Sequence, residues 1–203
     1  VNNDFRISEK LNATLDFDVK RTKHHSPVFN PLDAMRLIPP IYAALWDDGR
    51  IAEGKSGANP YGVVLNGGDE DKWYTRVGGK ASLSYKPFAG FNLTGIVAPV
   101  FNYNKFKKFR KKATYTLADD PNTVGGYLEG GGTSYSTTKL EETRNDNYNV
   151  TTQLLASYMK TFGAHDLNVM AGYENYYEFY EYLGASRDEY ILSSYPYLNN
   201  GPT

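Results

Sequence analysis

The feature that most constrains this chain is a strict alternation of apolar and polar residues in paired segments. From Leu11 to Val19 every odd position is apolar, and the even positions from Asn12 to Lys20 are polar or charged. Successive side chains of a β-strand point to opposite faces, so this pattern predicts a strand with one apolar and one wet face. Phe5 and Ile7 open the same odd series before a polar break at positions 8–10, which predicts a hairpin near 4–22.

The pattern returns in two further hairpins. Near 73–104, alternating runs lie on either side of a turn signal at positions 87–90. Near 147–180, a run on even positions from Tyr148 and a run on odd positions from Leu167 lie on either side of a turn at 163–165. Pro99 falls inside one run and, lacking a backbone N–H, predicts a bulge or a local break there.

Two long connections separate the three hairpins, near 23–71 and 106–146. Loops beyond about 12–15 residues are uncommon in compact domains, whereas short turns alternating with long outer loops are the plan of outer-membrane barrels. We therefore predict an all-β fold, with antiparallel up-and-down strands of a transmembrane β-barrel: about six strands, three hairpins and two long extracellular loops. A soluble sandwich is the alternative, because its strands alternate in the same way. Under the barrel interpretation, one apolar set faces lipid: Leu15, Phe17, Leu83, Phe91, Leu93, Leu167 and Val169.

Closure of the sheet decides how much of a barrel this chain would be. Lipid offers no hydrogen-bond partners, so a spanning sheet must close on itself, and the smallest barrels of this class have about 8 strands. Six strands therefore predict an incomplete barrel that other residues must complete. The start at Val1, without an initiator Met or a signal peptide, leads us to expect an internal piece or a processed product.

Composition excludes several functions. The net charge of -1 over 203 residues lacks the basic footprint of a nucleic-acid binder. The absence of cysteine excludes disulfides, thiol catalysis and cysteine metal sites. The 18 tyrosines suit both strands and membrane interfaces.

The first long loop contains a series of short motifs. Phe29 to Tyr42 includes a predicted short helix over Pro31 to Ile38, begun by one proline and ended by Pro39-Pro40. Trp46-Asp47-Asp48-Gly49-Arg50 and Ala58-Asn59-Pro60 follow. In order and spacing, these segments resemble the SusC/RagA family of TonB-dependent transporters from Bacteroidetes. The resemblance extends over nearly the whole chain, since the hairpin from Phe5 to Lys20 and the run from Tyr148 to Tyr177 fit it as well.

The resemblance implies a location, a function and partners. Barrels of this family have about 22 strands and lie in the outer membrane. A SusD-like surface lipoprotein lids the barrel and captures glycans or peptides, and the TonB complex supplies the energy that displaces a plug. The plug, the TonB-contacting segment and the last barrel strand are not seen in residues 1–203. We therefore predict part of an importer of glycans, oligosaccharides or peptides. The alternative is a soluble, secreted or periplasmic glycan-binding β-module.

Aromatic residues in and beside the first long loop are the candidate substrate-binding residues, because the C–H faces of sugar rings suit π surfaces. The candidates are Tyr42, Trp46, Tyr61, Trp73 and Tyr74. The alternative for Trp73 and Tyr74 is an interfacial aromatic belt, and the alternative for Tyr42 is packing within the loop.

Charged runs give weaker signals. The basic run from Lys105 to Lys112 is interpreted as a contact to lipopolysaccharide phosphates or an anionic substrate, or as a solvated strand extension. Asp47-Asp48-Gly49 and Asp69-Glu70-Asp71 lack the spacing of a calcium loop, and Asp-Gly more often marks a turn. His24-His25 alone does not make a metal site. We expect no metal, no cofactor and no enzymatic activity, because no catalytic grouping stands out.

Overall fold

The computed structural model describes residues 1–36, 38–120, 122–194 and 196–201, and consists largely of β-strands. In chain order the strands are β1 Asn2–Arg6, β2 Leu11–Pro27, β3 Gly68–Tyr85, β4 Phe91–Arg110, β5 Thr114–Thr116, β6 Val124–Tyr127, β7 Glu129–Gly130, β8 Thr133–Ser134, β9 Lys139–Phe162 and β10 His165–Asp188. Two short helices, α1 Pro31–Met35 and α2 Pro60–Asn66, lie between β2 and β3. A 3-10 turn spans Leu198–Asn200.

Six of the strands form one antiparallel up-and-down sheet in the order β1-β2-β3-β4-β9-β10. The hairpin of β1 and β2 pairs Phe5 with Ala13 and Asn3 with Leu15. β5 with β6, and β7 with β8, form two small two-stranded sheets between β4 and β9. The predicted fold class is confirmed: six antiparallel strands in three hairpins form a sheet that does not close into a barrel in this chain.

The long strands run beyond the limits of the predicted hairpins. β2 has 17 residues, β4 has 20 and β9 has 24, so positions 23–27, 105–110 and 139–146 are strand rather than loop. Alternation by hydrophobicity ends before the strands do, because ion pairs replace apolar contacts there, as between Lys23 and Asp71 at 3.1 Å. β4 also continues without a break through Pro99, where we predicted a bulge or a break.

The predicted helix in the first long loop is present and short. α1 spans Pro31–Met35, with proline at its start and the Asn30 side chain accepting a hydrogen bond from the Leu32 N–H at 3.2 Å. Such a cap satisfies one of the free N–H groups of the first helical turn. Leu37, within the predicted helix, lies outside the described residues.

The chain divides into two compact units, which we call the sheet unit and the loop unit. The sheet unit comprises Val1–Thr22, Tyr74–Asn104 and Arg144–Tyr182. The loop unit comprises Lys23–Trp73, Lys105–Thr143 and Leu183–Thr203. The long strands contribute residues to both units.

One face of the sheet unit is polar and hydrogen-bonded across its strands. The Ser84 hydroxyl donates to the Asn92 side chain at 2.7 Å. Asn102 donates to Asn147 at 3.3 Å, and Asn147 donates to Glu178 at 2.6 Å. These bonds join side chains from neighbouring strands, which is how a sheet face stabilises itself in a wet environment.

The opposite face of the sheet unit is apolar and uncovered by other described residues. Leu83, Leu167 and Val169 of the predicted apolar set expose 48%, 44% and 52% of their surface. Monomeric soluble proteins rarely expose such a contiguous apolar area, so this face is built to meet another apolar phase.

Two aromatic clusters lie on the apolar face, one at each end of it. At the end with the tight turns, Phe88 stacks on Phe91 at 5.2 Å between ring centroids and meets Tyr158 at 6.4 Å. At the other end, Phe101, Tyr177 and Phe179 surround Tyr148 at 5.7, 5.8 and 5.6 Å. In β4 the clusters are separated by the ten positions from Phe91 to Phe101, and in β9 by the ten positions from Tyr148 to Tyr158.

The loop unit has two small core clusters, one with Val63 and Leu128 and one with Leu140. These three side chains are completely buried, and each contributes about 1.5–3 kcal/mol through removal from water. Backbone bonds tie the first cluster together: Ala113 donates to Tyr135, and Leu128 donates to Ala113, both at 2.9 Å. The loop unit is therefore an ordered structure rather than a set of free loops.

Gly68 is required where α2 passes into β3. Its φ is +104°, and a Cβ at this position would collide with the backbone carbonyl of Phe109. The same close approach lets Gly67 accept from the Lys111 N–H at 2.9 Å, and lets Gly68 accept from Val28 at 3.1 Å. A side chain at Gly68 would therefore separate strands β2, β3 and β4 at this level.

Candidate functional site

A concave site with a volume of about 700 Å³ lies in the loop unit. We call it the loop cleft. Its size falls within the range of about 300–1,000 Å³ typical of ligand sites. The lining residues come from the start of α1, the turn before α2 and the hairpin of β7 and β8: Phe29, Asn30, Ala34, Ile38, Lys55, Ser56, Ala58, Pro60, Glu129, Gly130, Gly131 and Gly132.

Asn59 holds one wall of the loop cleft in place. Its side chain is almost completely buried, with 2% of its surface exposed. Its Nδ2 group donates to the carbonyls of Ala44 at 2.8 Å and Ala52 at 2.9 Å, while its Oδ1 accepts from the Gly62 N–H at 3.0 Å. One side chain thus caps α2 and joins two loop segments to it, so the wall depends on this single amide.

Glycines form the opposite wall. Gly131 and Gly132 have φ values of +58° and +75°, the left-handed conformation that a two-residue hairpin turn requires. A Cβ on Gly130 would come within 3.2 Å of the Phe29 ring, which is tighter than an ordinary contact. Backbone, rather than side chains, therefore faces the cleft at these positions.

The rim of the loop cleft carries opposite charges. Lys55 comes from the tight turn before Ala58, and Glu129 from β7. An apolar floor with one cationic and one anionic group at its edge suits an extended ligand that bears both charges.

Two of the predicted substrate-binding residues meet beside the loop cleft. Tyr42 and Tyr61 line an adjoining recess of about 180 Å³, and both are substantially exposed. The recess shares Ile38, Ala58 and Pro60 with the loop cleft, so the two spaces are adjacent. These are the two aromatic rings best placed to contact a ligand.

Trp46 has a structural partner. Its indole N–H donates to the carbonyl of Thr116 at 2.8 Å, and Arg50 donates to the Thr116 hydroxyl at 2.6 Å. The side-chain hydrogen bond from Arg50 also holds the pKa of Asp48 below its ordinary value. The aspartate-glycine motif is therefore a turn that clamps the segment around Thr116.

Trp73 and Tyr74 lie away from the loop cleft, in β3. The ammonium groups of Lys23 and Lys105 lie 5.2 and 5.6 Å from the centroid of the Trp73 ring. Tyr74 is the next residue in the strand, so its side chain emerges on the other face. The structure therefore brings together Tyr42 and Tyr61 but not all five predicted residues.

Sequence reasoning missed the charged pair of the loop cleft. Lys55 and Glu129 are 74 positions apart in sequence. The bridge between Ala58 and Glu129, and the hydrogen bond from the Glu129 N–H to the Gly57 carbonyl at 2.8 Å, bring their segments together. The run of glycines after Glu129 was the available signal, because it marks backbone that approaches another group closely.

The described ranges contain neither a candidate metal cluster nor a membrane-spanning helix. No cluster of three or more His, Asp or Glu side chains there is arranged to hold a metal ion. Within those same ranges, no helix has the length and apolar character needed to cross a membrane.

Strand order and strand length define a class of fold: an antiparallel, up-and-down sheet of the β-barrel type, with long strands, tight turns and an ordered loop unit. Among solved structures, the chain is similar to a chain of the RagAB peptide transporter, with a TM-score of 0.64 and 15% sequence identity. It is also similar to a chain of the RagAB peptide importer in its "closed-closed" state, with a TM-score of 0.63 and 14% identity. Each match covers 98% of this chain and 22% of the other, so this chain spans about a fifth of their length.

At this level of identity the similarity establishes a RagA/SusC-like fold. No model of a known protein family matches the sequence, and no curated protein matches it.

Proposed function

We propose that this chain forms part of the wall and outer loops of an outer-membrane importer of large nutrients. The spacing of the aromatic clusters on the apolar face carries the proposal. Ten strand residues, as from Phe91 to Phe101, span about 33 Å along a strand, and about 25 Å along the membrane normal at a tilt of about 40°. That is the height of the apolar band of outer-membrane barrels, which aromatic girdles border on both sides.

The substrate that we propose is a peptide rather than a neutral glycan. The oppositely charged rim of the loop cleft, Lys55 and Glu129, matches the charged groups of a peptide, whereas a neutral sugar would leave both unpaired. Both similar structures are described as peptide transporters, which supports the same choice. Tyr42 and Tyr61 would contact peptide side chains in the adjoining recess.

The partners that we propose follow from the SusC/RagA resemblance. A SusD-like lipoprotein would cover the loop unit from outside, and the TonB complex would act through a plug. The ordered core of the loop unit supports a docking role, because a rigid surface loses less entropy when a partner binds. We propose no enzymatic activity for this chain.

Cysteine accessibility tests the membrane wall. The chain has no native cysteine, so a single introduced thiol is unique once any cysteine elsewhere in the intact polypeptide is replaced by serine. Lys80 and Ala81 are neighbours in β3, both exposed and on opposite faces of the sheet. In outer membranes, a charged, water-soluble maleimide should label Lys80→Cys, and only an apolar maleimide should label Ala81→Cys.

The alternative is a soluble, secreted or periplasmic glycan-binding module. It would place both faces of the sheet in water or against protein. Equal labelling of Lys80→Cys and Ala81→Cys by the charged reagent would support that module and overturn the importer.

A further inference from the structure

We infer that Lys23, Trp73 and Lys105 form a binding site for the phosphate of a phosphorylated glycolipid headgroup, of the lipid A type, in the outer leaflet. The inference rests on the proposed membrane location and adds a ligand to the outside of the wall. It concerns a different surface from the loop cleft.

The position of these residues along their strands is the first argument. In β3 and β4, Trp73 and Lys105 continue the odd-numbered series that carries the apolar side chains, and Lys23 continues that series in β2. Lys105 follows Tyr103 of this series by two positions. Side chains of this series emerge on the lipid side of the proposed wall, just beyond the aromatic band, where headgroups lie.

The geometry of the cluster is the second argument. Trp73 draws two ammonium groups to one ring, with Lys23 at 5.2 Å and Lys105 at 5.6 Å from its centroid. The quadrupole of an indole ring attracts cations, so the ring holds one lysine from each of the two neighbouring strands beside it. The two ammonium groups flank the ring, and each can donate to a phosphate oxygen of a headgroup.

Charge balance is the third argument. On this face Lys23 pairs with Asp71 at 3.1 Å, Lys111 with Asp69 at 3.9 Å, and both Lys105 and Lys107 pair with Glu142, at 3.3 and 3.7 Å. Four lysines thus share three carboxylates, two of which, Asp69 and Asp71, also contact His25. Among these residues the lysines outnumber the carboxylates by one. Each ammonium group has three N–H donors, so its carboxylate partner leaves donors for a phosphate oxygen.

Exposure distinguishes the lysines of this face. Lys23 and Lys105 expose 52% and 39% of their side chains, whereas Lys107 exposes 18% and lies under the Tyr197 ring, 4.5 Å from its centroid. Lys111 is as exposed as Lys105, at 39%, but Lys23 and Lys105 are the exposed lysines of this face that lie over the Trp73 ring.

The basic run thus serves two faces. Its odd-numbered members, Lys105 and Lys107, lie on the headgroup side, and Lys108 lies on the other side of the same strand. This division provides a matched control, because equal charge can be removed from either face of neighbouring strands.

Native mass spectrometry of the intact protein, titrated with diphosphoryl lipid A in detergent, tests the site. We expect Lys23→Gln/Lys105→Gln to weaken lipid A binding at least tenfold, because each lysine near a charged lipid surface changes affinity by about fivefold. The control variant Lys72→Gln/Lys108→Gln removes two charges from the other face and should bind lipid A as the parent does. Lipid A without phosphates should bind the parent no better than it binds the first variant.

Equal loss in both double variants, or no loss in the first, would overturn the site. Displacement of lipid A by millimolar inorganic phosphate would also overturn it, because the ligand would then be a soluble anion. Ala81→Cys labelling of the same variants in outer membranes separates the two proposals. If Lys23→Gln/Lys105→Gln keeps the Ala81→Cys thiol protected by lipid but binds lipid A as before, the headgroup site alone is refuted. If the Ala81→Cys thiol is unprotected in the protein with both lysines intact, the membrane wall is refuted.

Discussion

At the scale of the residue, single polar side chains hold the loop unit together. Asn59 makes three hydrogen bonds, two of them buried, and Arg50 joins its own turn to Thr116. Removal of one side chain from such a network leaves its buried hydrogen-bond partners unsatisfied, and each unsatisfied group lowers the stability of the fold. The asparagine that precedes Pro60 is therefore a structural residue of the candidate site rather than a ligand-binding one.

Replacement of Asn59 by alanine should destabilise the segment around α2 strongly. The change removes a helix cap and takes the Asn59 amide from the Ala44 and Ala52 carbonyls, of which Ala44 still accepts from the Ala52 N–H at 3.2 Å. We expect a cost of about 2–4 kcal/mol. Asn30→Ala is the matched control, because Asn30 caps α1 from an exposed position and its loss should cost about 1 kcal/mol. Native-state hydrogen exchange over residues 44–66 measures the difference, and equal protection in the two variants would contradict this role of Asn59.

At the scale of the element, each long strand has two chemically different faces along its length. The sequence predicted this well where hydrophobicity alternates, as from Leu11 to Val19. It failed beyond Thr22 and before Tyr148, because there both faces carry charged residues and the strands continue through ion pairs such as Lys105 with Glu142. The small sheets of β5 to β8 were also not predicted, since strands of two to four residues give no periodic signal.

The two faces of β4 should respond differently to the same charged substitution. Val97 lies on the apolar face, between the two aromatic clusters, and Ile96 lies on the polar face. Val97→Arg should reduce folding stability in lipid by about 2–4 kcal/mol, the cost of arginine near the bilayer midplane, while Ile96→Arg should cost much less. Denaturant titration of the intact protein in lipid vesicles measures both, and similar losses for the two variants would argue against the assigned faces.

At the scale of the whole molecule, we propose different roles for the sheet unit and the loop unit. The sheet unit provides an apolar wall, and the loop unit provides a polar cleft with its own core. The sequence predicted the wall because its periodicity is local. It did not predict the loop cleft, because Phe29, Lys55 and Glu129 meet only through contacts between distant segments.

The charges of the loop cleft should select charged peptides. If Lys55 binds a peptide carboxylate, Lys55→Glu should weaken binding of a peptide with a free carboxyl terminus about tenfold, and have little effect on the same peptide amidated at that end. Lys112→Glu is the control, since Lys112 lies in the loop unit over the Tyr127 ring and does not line the cleft. Calorimetry of the intact protein with the two peptides measures the effect, and equal losses for both lysines would indicate a general charge effect.

The repeated ten-position interval between aromatic clusters in β4 and β9 also sets the hydrophobic thickness of the bilayer that the wall would fit. Strands bonded to neighbours on both sides have little freedom to change their tilt one at a time. A bilayer with longer acyl chains would therefore have to thin around the protein, at a cost of a fraction of a kcal/mol for each ångström of hydrophobic mismatch. The sheet therefore fits a bilayer of one hydrophobic thickness, and a membrane of a different thickness would exclude it even if every side chain were in place.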